Sequence, residues 1–218
     1  MTEKKWPYKS CYCEENIYKS VELLPVEDRP RSFVVFISSE NRSVPLYAQR
    51  SSSREDKLAL WDYHVILLIK QSGFSQWFVL DHDSTVNQPP ENETQAGDFR
   101  RTMLVPFQSY AQATFKQLPN DLLDRFSHLV VGRKFRVIRG DQYLRYFASD
   151  RSHMVTIDKT TNEAVYVSQP PVWTKIQGFK SKQLRVCMNI DDYIDMTKDS
   201  ANYGQVLHED EFLARFAI

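Results

Sequence analysis

A chain of 218 residues is one large domain or two small ones, long enough to bury a real core. Its 28 basic and 28 acidic side chains cancel, which leaves no overall pull toward nucleic acid or anionic lipid. No apolar run nears the ~20 residues of a membrane helix. The first residues lack the apolar core of a secretory signal, and three cysteines make no disulfide framework. These features read as a soluble protein of a reducing compartment, where the sequons at Asn41 and Asn92 stay unmodified.

In chain order, Ser10-Cys11-Tyr12-Cys13-Glu14-Glu15-Asn16 precedes Ile17, Tyr18, Val21 and Leu24, whose spacing predicts a helix with one buried face. A cysteine in a first helical turn sits among unpaired N–H groups at the positive end of the dipole, which favours thiolate. Taken alone, the stretch also reads as two small buried thiols. After a charged connection over 25–31, residues 32–38 form a short apolar strand. A turn at 41–43 leads to Val44-Pro45-Leu46-Tyr47 as an edge strand, and 49–57 is an exposed loop. Residues 60–69 read as one continuous strand, apolar on both faces and central. A turn at 71–74 and a return strand over 75–81 complete a hairpin.

Residues 87–101 are polar and read as a long surface loop. Short helical patterns follow at 107–116 and 120–126. Residues 134–139 alternate charged and apolar side chains, as a half-exposed strand does. A helix carries Tyr143, Leu144 and Phe147. Residues 148–154 are a polar loop, and 160–182 are irregular. Residues 188–191 form a turn or short helix, and 209–216 a terminal helix. No repeat or linker divides the chain, so one α+β domain over 1–218 is expected, with 1–9 as an N-terminal extension.

The hairpin places charge beside a histidine. A four-residue loop pairs Lys70 with Ser75 and His64 with Asp81. A two-residue loop pairs Ser72 with Ser75 and His64 with Asp83. Either register sets a carboxylate on the face of His64, with Cα atoms roughly 4.5–5.5 Å apart. Such a carboxylate fixes the imidazole tautomer and stabilises the imidazolium, as in a nucleophilic triad. The alternative is a core histidine satisfied by a neighbour. Cys11 and Cys13 lack the second close pair of a zinc site. Asp150-Arg151-Ser152-His153 reads as a polar loop, Cys187 as structural, and the basic cluster Arg133, Lys134, Arg136, Arg139 as a solvated strand face.

Five ordered blocks resemble the protein N-terminal glutamine amidohydrolase family. They are Ser10-Cys11-Tyr12-Cys13-Glu14-Glu15-Asn16, Trp61-Asp62-Tyr63-His64-Val65, Leu80-Asp81-His82-Asp83, Arg133-Lys134-Phe135-Arg136-Val137-Ile138-Arg139 and Phe147-Ala148-Ser149-Asp150-Arg151-Ser152-His153-Met154, with Met188-Asn189-Ile190 also fitting. The resemblance implies an αβα three-layer sandwich with a mainly antiparallel sheet, related to papain-like and transglutaminase-like enzymes. It implies a triad of Cys13, His64 and Asp81, choosing the second cysteine and the four-residue hairpin register, and leaves Cys11 a packed, supporting role. It also implies conversion of an N-terminal glutamine of a protein to glutamate, which feeds the arginylation branch of the N-degron pathway.

No metal or organic cofactor is needed for this chemistry. Reading a free α-ammonium calls for a carboxylate or carbonyl near the thiol. Glu14, Glu15, Asp62 and Asp150 are candidates by position, with Glu15 and Asp62 favoured. Competing readings are a transglutaminase-like acyl transferase, a papain-like cysteine peptidase, and an inactive αβα interaction module. A monomer is expected, with no nucleic-acid or membrane partner, in the cytoplasm and with the nucleus also open to it.

Overall fold

The computed structural model describes residues 6–70, 73–86, 104–126 and 132–217. The polar loop expected over 87–101 therefore lies outside the described residues. Helix α1 (Cys13–Leu23) comes first, then β1 (Phe33–Ser38), β2 (Val44–Leu46), β3 (Ala59–Trp61), β4 (His64–Lys70), β5 (Trp77–Leu80) and β6 (Leu104–Pro106). Helices α2 (Phe107–Thr114) and α3 (Asn120–Phe126) lead to β7 (Lys134–Arg139), α4 (Gly140–Tyr146) and β8 (Ala148–Ser149). The rest is β9 (Val155–Ile157), β10 (Ala164–Tyr166), β11 (Ile176–Gln177), α5 (Phe179–Leu184), α6 (Ile190–Ile194), β12 (Gln205–His208) and α7 (Glu209–Phe216).

Six strands form the central sheet in the order β12-β7-β1-β4-β5-β6, and each neighbouring pair is antiparallel. The period-two alternation of a strand sends Val65, Leu67 and Ile69 to one face of β4, and Ile66 and Leu68 to the other. On the first face they pack with Ile17 and Val21 of α1, Tyr143 of α4 and Tyr193 of α6. On the second they pack with Phe107 and Tyr110 of α2 and Phe212 and Phe216 of α7. Both faces being covered, β1 and β4 are buried along nearly their whole length, as unbroken apolar runs require.

Several expectations change, and the stretch 160–182, expected to be irregular, holds β10, β11 and the start of α5. The continuous strand over 60–69 is two: β3 pairs with β2 in a small sheet of its own, and β4 starts only at His64. The break falls at Asp62-Tyr63, where Ser38 Oγ donates to the Asp62 carbonyl at 2.5 Å. The strand over 134–139 is not half-exposed but second from the edge, because β12, which lacks a strong apolar pattern, pairs outside it. In the basic cluster Arg139 is exposed, as on a solvated face, but Arg133 and Arg136 are not. Arg136 is 1% exposed and donates to the carbonyls of Tyr193, Asp195, Lys198 and Gly204. Arg133 is buried against Glu209 and three backbone carbonyls. Hydrogen-bonded in this way, a guanidinium is tolerated in a core.

Candidate active site

Helix α1 begins at the expected nucleophile. Cys11 just before it adopts φ 66°, and Asn16 reaches back to hold the backbone N–H and C=O of Lys9, both at 2.8 Å. The left-handed turn and this clamp fix the entry of the chain into the helix. Tyr12 is buried with its hydroxyl on the Ser168 carbonyl, while Cys13 is 8% exposed. Cys11 is exposed rather than packed, and Cys187 is also exposed rather than enclosed in an apolar setting.

His64, first residue of β4, has its Nε2 2.8 Å from Asp81 Oδ1. The hairpin ladder nevertheless runs Leu67↔Leu80 to Lys70↔Trp77, which is the shorter-loop register and would oppose Asp83 to His64. The four-residue register expected for the pair is thus not the one formed. A shift of two residues preserves the face of every side chain, so Asp81 stays on the side of His64 as its diagonal neighbour. The chain leaves the ladder after Leu80, and the turn that follows aims the carboxylate back at the ring. Asp83 N–H donates to Asp81 Oδ1 at 2.9 Å, and Tyr110 on α2 donates to Oδ2 at 2.8 Å. Trp61 stacks on the imidazole with centroids 5.1 Å apart.

This bond assigns the ring nitrogens unequal parts. Nε2 is committed to Asp81, and Nδ1 has no hydrogen-bond partner among the described residues. Burial opposes a charged imidazole, but the charge and hydrogen bond of Asp81 outweigh it, so the His64 pKa is raised. Asp81 responds in kind: burial opposes its ionisation, His64 overrides that, and its pKa is lowered. The Cys13 thiol is pushed well above its ordinary value by burial first, then by the charges of Glu14 and Asp83. The expectation of a stabilised thiolate is therefore not met in the free protein. Sγ lies 3.6 Å from Glu14 Oε2 and makes no hydrogen bond to His64.

A pocket of about 310 Å³ opens over Cys13. Cys11, Trp61, Asp62, Tyr63, Asp83 and His153 contribute to its walls. Glu14 is fully buried beside it, with Oε2 accepting from Tyr63 Oη at 3.1 Å. His153 Nε2 approaches Glu14 Oε1 to 3.4 Å without hydrogen-bond geometry. Glu15 is also fully buried, but both its oxygens are taken: Arg151 Nε and Ser149 Oγ donate to Oε1, and Arg151 Nη2 and Trp173 Nε1 to Oε2. Asp62 is exposed on the rim, with Oδ1 accepting the Tyr63 N–H. Asp150 is not among the lining residues; its carboxylate caps the Ser152 N–H.

His64, Asp81 and Asp83 also offer three donor atoms within 4.8 Å of one another, close enough to share a cation, although Nε2 is already hydrogen-bonded to Asp81. Sequence reasoning did not single out Tyr110, Tyr8 or His153 for the site. A tyrosine on an apolar helix face carries no local mark of its distant partner. Asp83 was visible only as the partner in the second register.

The chain is similar in sequence to known proteins along nearly its whole length. The model of a family described as N-terminal glutamine amidase matches residues 8–216. The chain is similar to the protein N-terminal glutamine amidohydrolase of Bos taurus, 36% identical over 213 residues, spanning 96% of this chain and 86% of that protein. It is similar to the proteins of the same name from Homo sapiens, 35% identical across 96% of this chain and 87% of the relative, and Danio rerio, 34% across 97% and 89%.

Proposed function

The chain belongs to the N-terminal glutamine amidase family, and from that premise we propose that it deamidates the side chain of an N-terminal glutamine through a cysteine nucleophile. The observation that carries this reading is the division of labour on His64: Asp81 holds Nε2 and leaves Nδ1 without a partner, at the end of the sheet where Cys13 opens on the pocket.

In the proposed reaction the Cys13 thiol gives its proton to His64 Nδ1 as Sγ attacks the side-chain amide carbon. Hydrogen bonds in a free enzyme are often long and tighten on substrate binding, which fits a thiol and ring that do not yet touch. Backbone N–H groups at the start of α1, that of Cys13 among them, hold the oxyanion; each such donor is worth roughly 3–4 kcal/mol. The intermediate collapses by breaking the C–N bond. His64 protonates the nitrogen, ammonia leaves, and a γ-glutamyl thioester remains. His64 then takes a proton from water, which attacks the thioester and returns the thiol. Asp81 keeps the ring in one tautomer throughout. Glu15, with four donors on it, holds the start of α1 against the Arg151 loop instead of reading an amine. Asp62 on the rim faces the substrate chain.

Kinship with papain-like and transglutaminase-like enzymes is part of the proposal and is supported by helices on both faces of the antiparallel sheet and a cysteine heading a buried helix. The product, a chain beginning with glutamate, is an acceptor for arginylation, which places the enzyme in that branch of the N-degron pathway, in cytoplasm or nucleus. No helix among the described residues is long and apolar enough to cross a membrane.

The test is one panel of peptides carrying a free N-terminal glutamine, an acetylated one, or an internal one. Ammonia release from the free terminus alone is the expected result. Amine incorporation, backbone cleavage or no reaction would support an acyl transferase, a peptidase or an inactive module in turn.

A further inference from the structure

The pocket contains a buried acid to which the proposed hydrolysis gives no task. Asp83 is 5% exposed and lines the pocket with Cys13. Its backbone N–H donates to Asp81, so the turn that presents one carboxylate also fixes the other. Tyr8 Oη donates to Asp83 Oδ1 at 2.8 Å. Among the described residues Oδ2 has no hydrogen-bond partner, and no lysine or arginine forms an ion pair with this carboxylate. The other pocket acids differ. Asp191 pairs with Arg42 at 2.8 Å, and Asp62 is exposed to solvent. Burial pushes the Asp83 pKa up, and the charges of His64 and Arg50 with the Tyr8 hydrogen bond offset that only in part. Such a group is costly alone and much less so beside a cation.

We propose that Asp83, through Oδ2, is the subsite for the α-ammonium of the N-terminal glutamine. This deepens the function given above and rests on it. Three carbons separate the α-nitrogen from the side-chain amide carbon, so a glutamine with that carbon at Sγ brings its ammonium into the same pocket. A charge-assisted hydrogen bond then forms with a carboxylate already oriented by Tyr8 and Asp81. An acetylated or internal glutamine brings a neutral amide and added bulk, and adds no cation to the partial compensation that His64 and Arg50 give the buried charge. The ammonium also offsets the negative field that Asp83 exerts on the thiol, so the correct substrate eases its own attack.

The experiment compares kcat/KM for two peptides that differ only at the first residue: glutamine, or its 4-carbamoylbutanoyl analogue with hydrogen in place of the α-ammonium. The wild-type protein should prefer glutamine by roughly 100-fold or more. Asp83→Asn should shrink that preference at least tenfold while still turning over the analogue. Asp62→Asn should keep it, whatever happens to the overall rate. An Asp83→Asn protein that keeps the wild-type preference, or an Asp62→Asn protein that loses it, overturns the proposal. Should Asp83→Asn fail to fold, Tyr8→Phe retains the carboxylate but loosens it. It should raise KM for the glutamine peptide and not for the analogue; equal shifts would count against the subsite. Absence of ammonia release from the glutamine peptide by the wild-type protein is a different result, and defeats the underlying function.

Discussion

Arg151 grips Glu15 with a planar fork, Nε to Oε1 and Nη2 to Oε2, both at 2.9 Å, and so fastens the first turn of α1 to the loop after β8. Both side chains are buried, with 7% and 0% of their surface exposed. Removing one member leaves the other charged and unpaired in the interior, which costs about 3–5 kcal/mol. Arg151→Met should lower the urea unfolding free energy by about that amount and reduce turnover with it. A loss below about 1 kcal/mol would show that the fork does not hold the site together.

The two cysteines at the pocket should separate cleanly. Cys13→Ala is expected to release no ammonia from a glutamine-initiated peptide, because no other side chain in the proposed reaction forms the thioester. Cys11→Ala should stay within a few-fold of the wild type, since among the described residues its thiol hydrogen-bonds only with Ser10 Oγ, at 3.6 Å. The reverse outcome in the same ammonia assay would move the nucleophile to Cys11.

Asp81 and Asp83 sit two residues apart in one turn, yet their substitutions should have different signatures. Asp81→Asn should cut kcat by roughly 10³–10⁴, the scale expected when a triad imidazole is held in the wrong tautomer. Asp83→Asn should act mainly on the preference for a free terminus. Tyr110→Phe leaves Asp81 Oδ2 without its donor and should destabilise the fold by about 1–3 kcal/mol, with a smaller loss of kcat. Equal kcat losses for the two aspartates would undo this assignment.

Acid should destabilise the protein through His82. Its ring is buried, faces Ser20 at Nε2 and stacks near Tyr8, with Asp81, His64 and Arg50 as the charges around it. Burial lowers its pKa to about 4. The unfolded chain takes up the proton near pH 6.5 and the native state does not. The penalty is therefore absent above that pH, grows as pH falls, and is complete below about 4. Between pH 7 and 5 it amounts to about 2 kcal/mol. Urea melts of the wild type and His82→Asn at the two pH values should differ by that amount; parallel losses would assign acid sensitivity to other groups.

The elements with a single dominant pattern were legible. The 3.6-residue spacing of Ile17, Tyr18, Val21 and Leu24 marked α1, and the apolar run 32–38 marked β1. What misled was chemistry that alternation does not encode. Arg136 alternates with apolar neighbours as an exposed residue does, and only the carbonyls of α6 and its flanks, distant in sequence, show why it is buried. Leu60 and Trp61 continue the apolar run of β4, so nothing local announced the break that makes His64 a strand terminus. The His64–Asp81 partnership survived a wrong register because face, unlike opposition, is unchanged by an even shift.

That parity has a consequence for how the enzyme acquires its activity. His64 and Asp81 flank the β4–β5 pairing at its open end, and neither reaches the other by local folding alone. An odd slip of the hairpin would turn the carboxylate to the opposite side of the sheet from the imidazole. If the proposed triad is right, compact chains with native helices but a misaligned hairpin should release no ammonia. During refolding, ammonia release should lag helix formation and rise only as β4 and β5 lock, so that turnover counts molecules whose strands are in step.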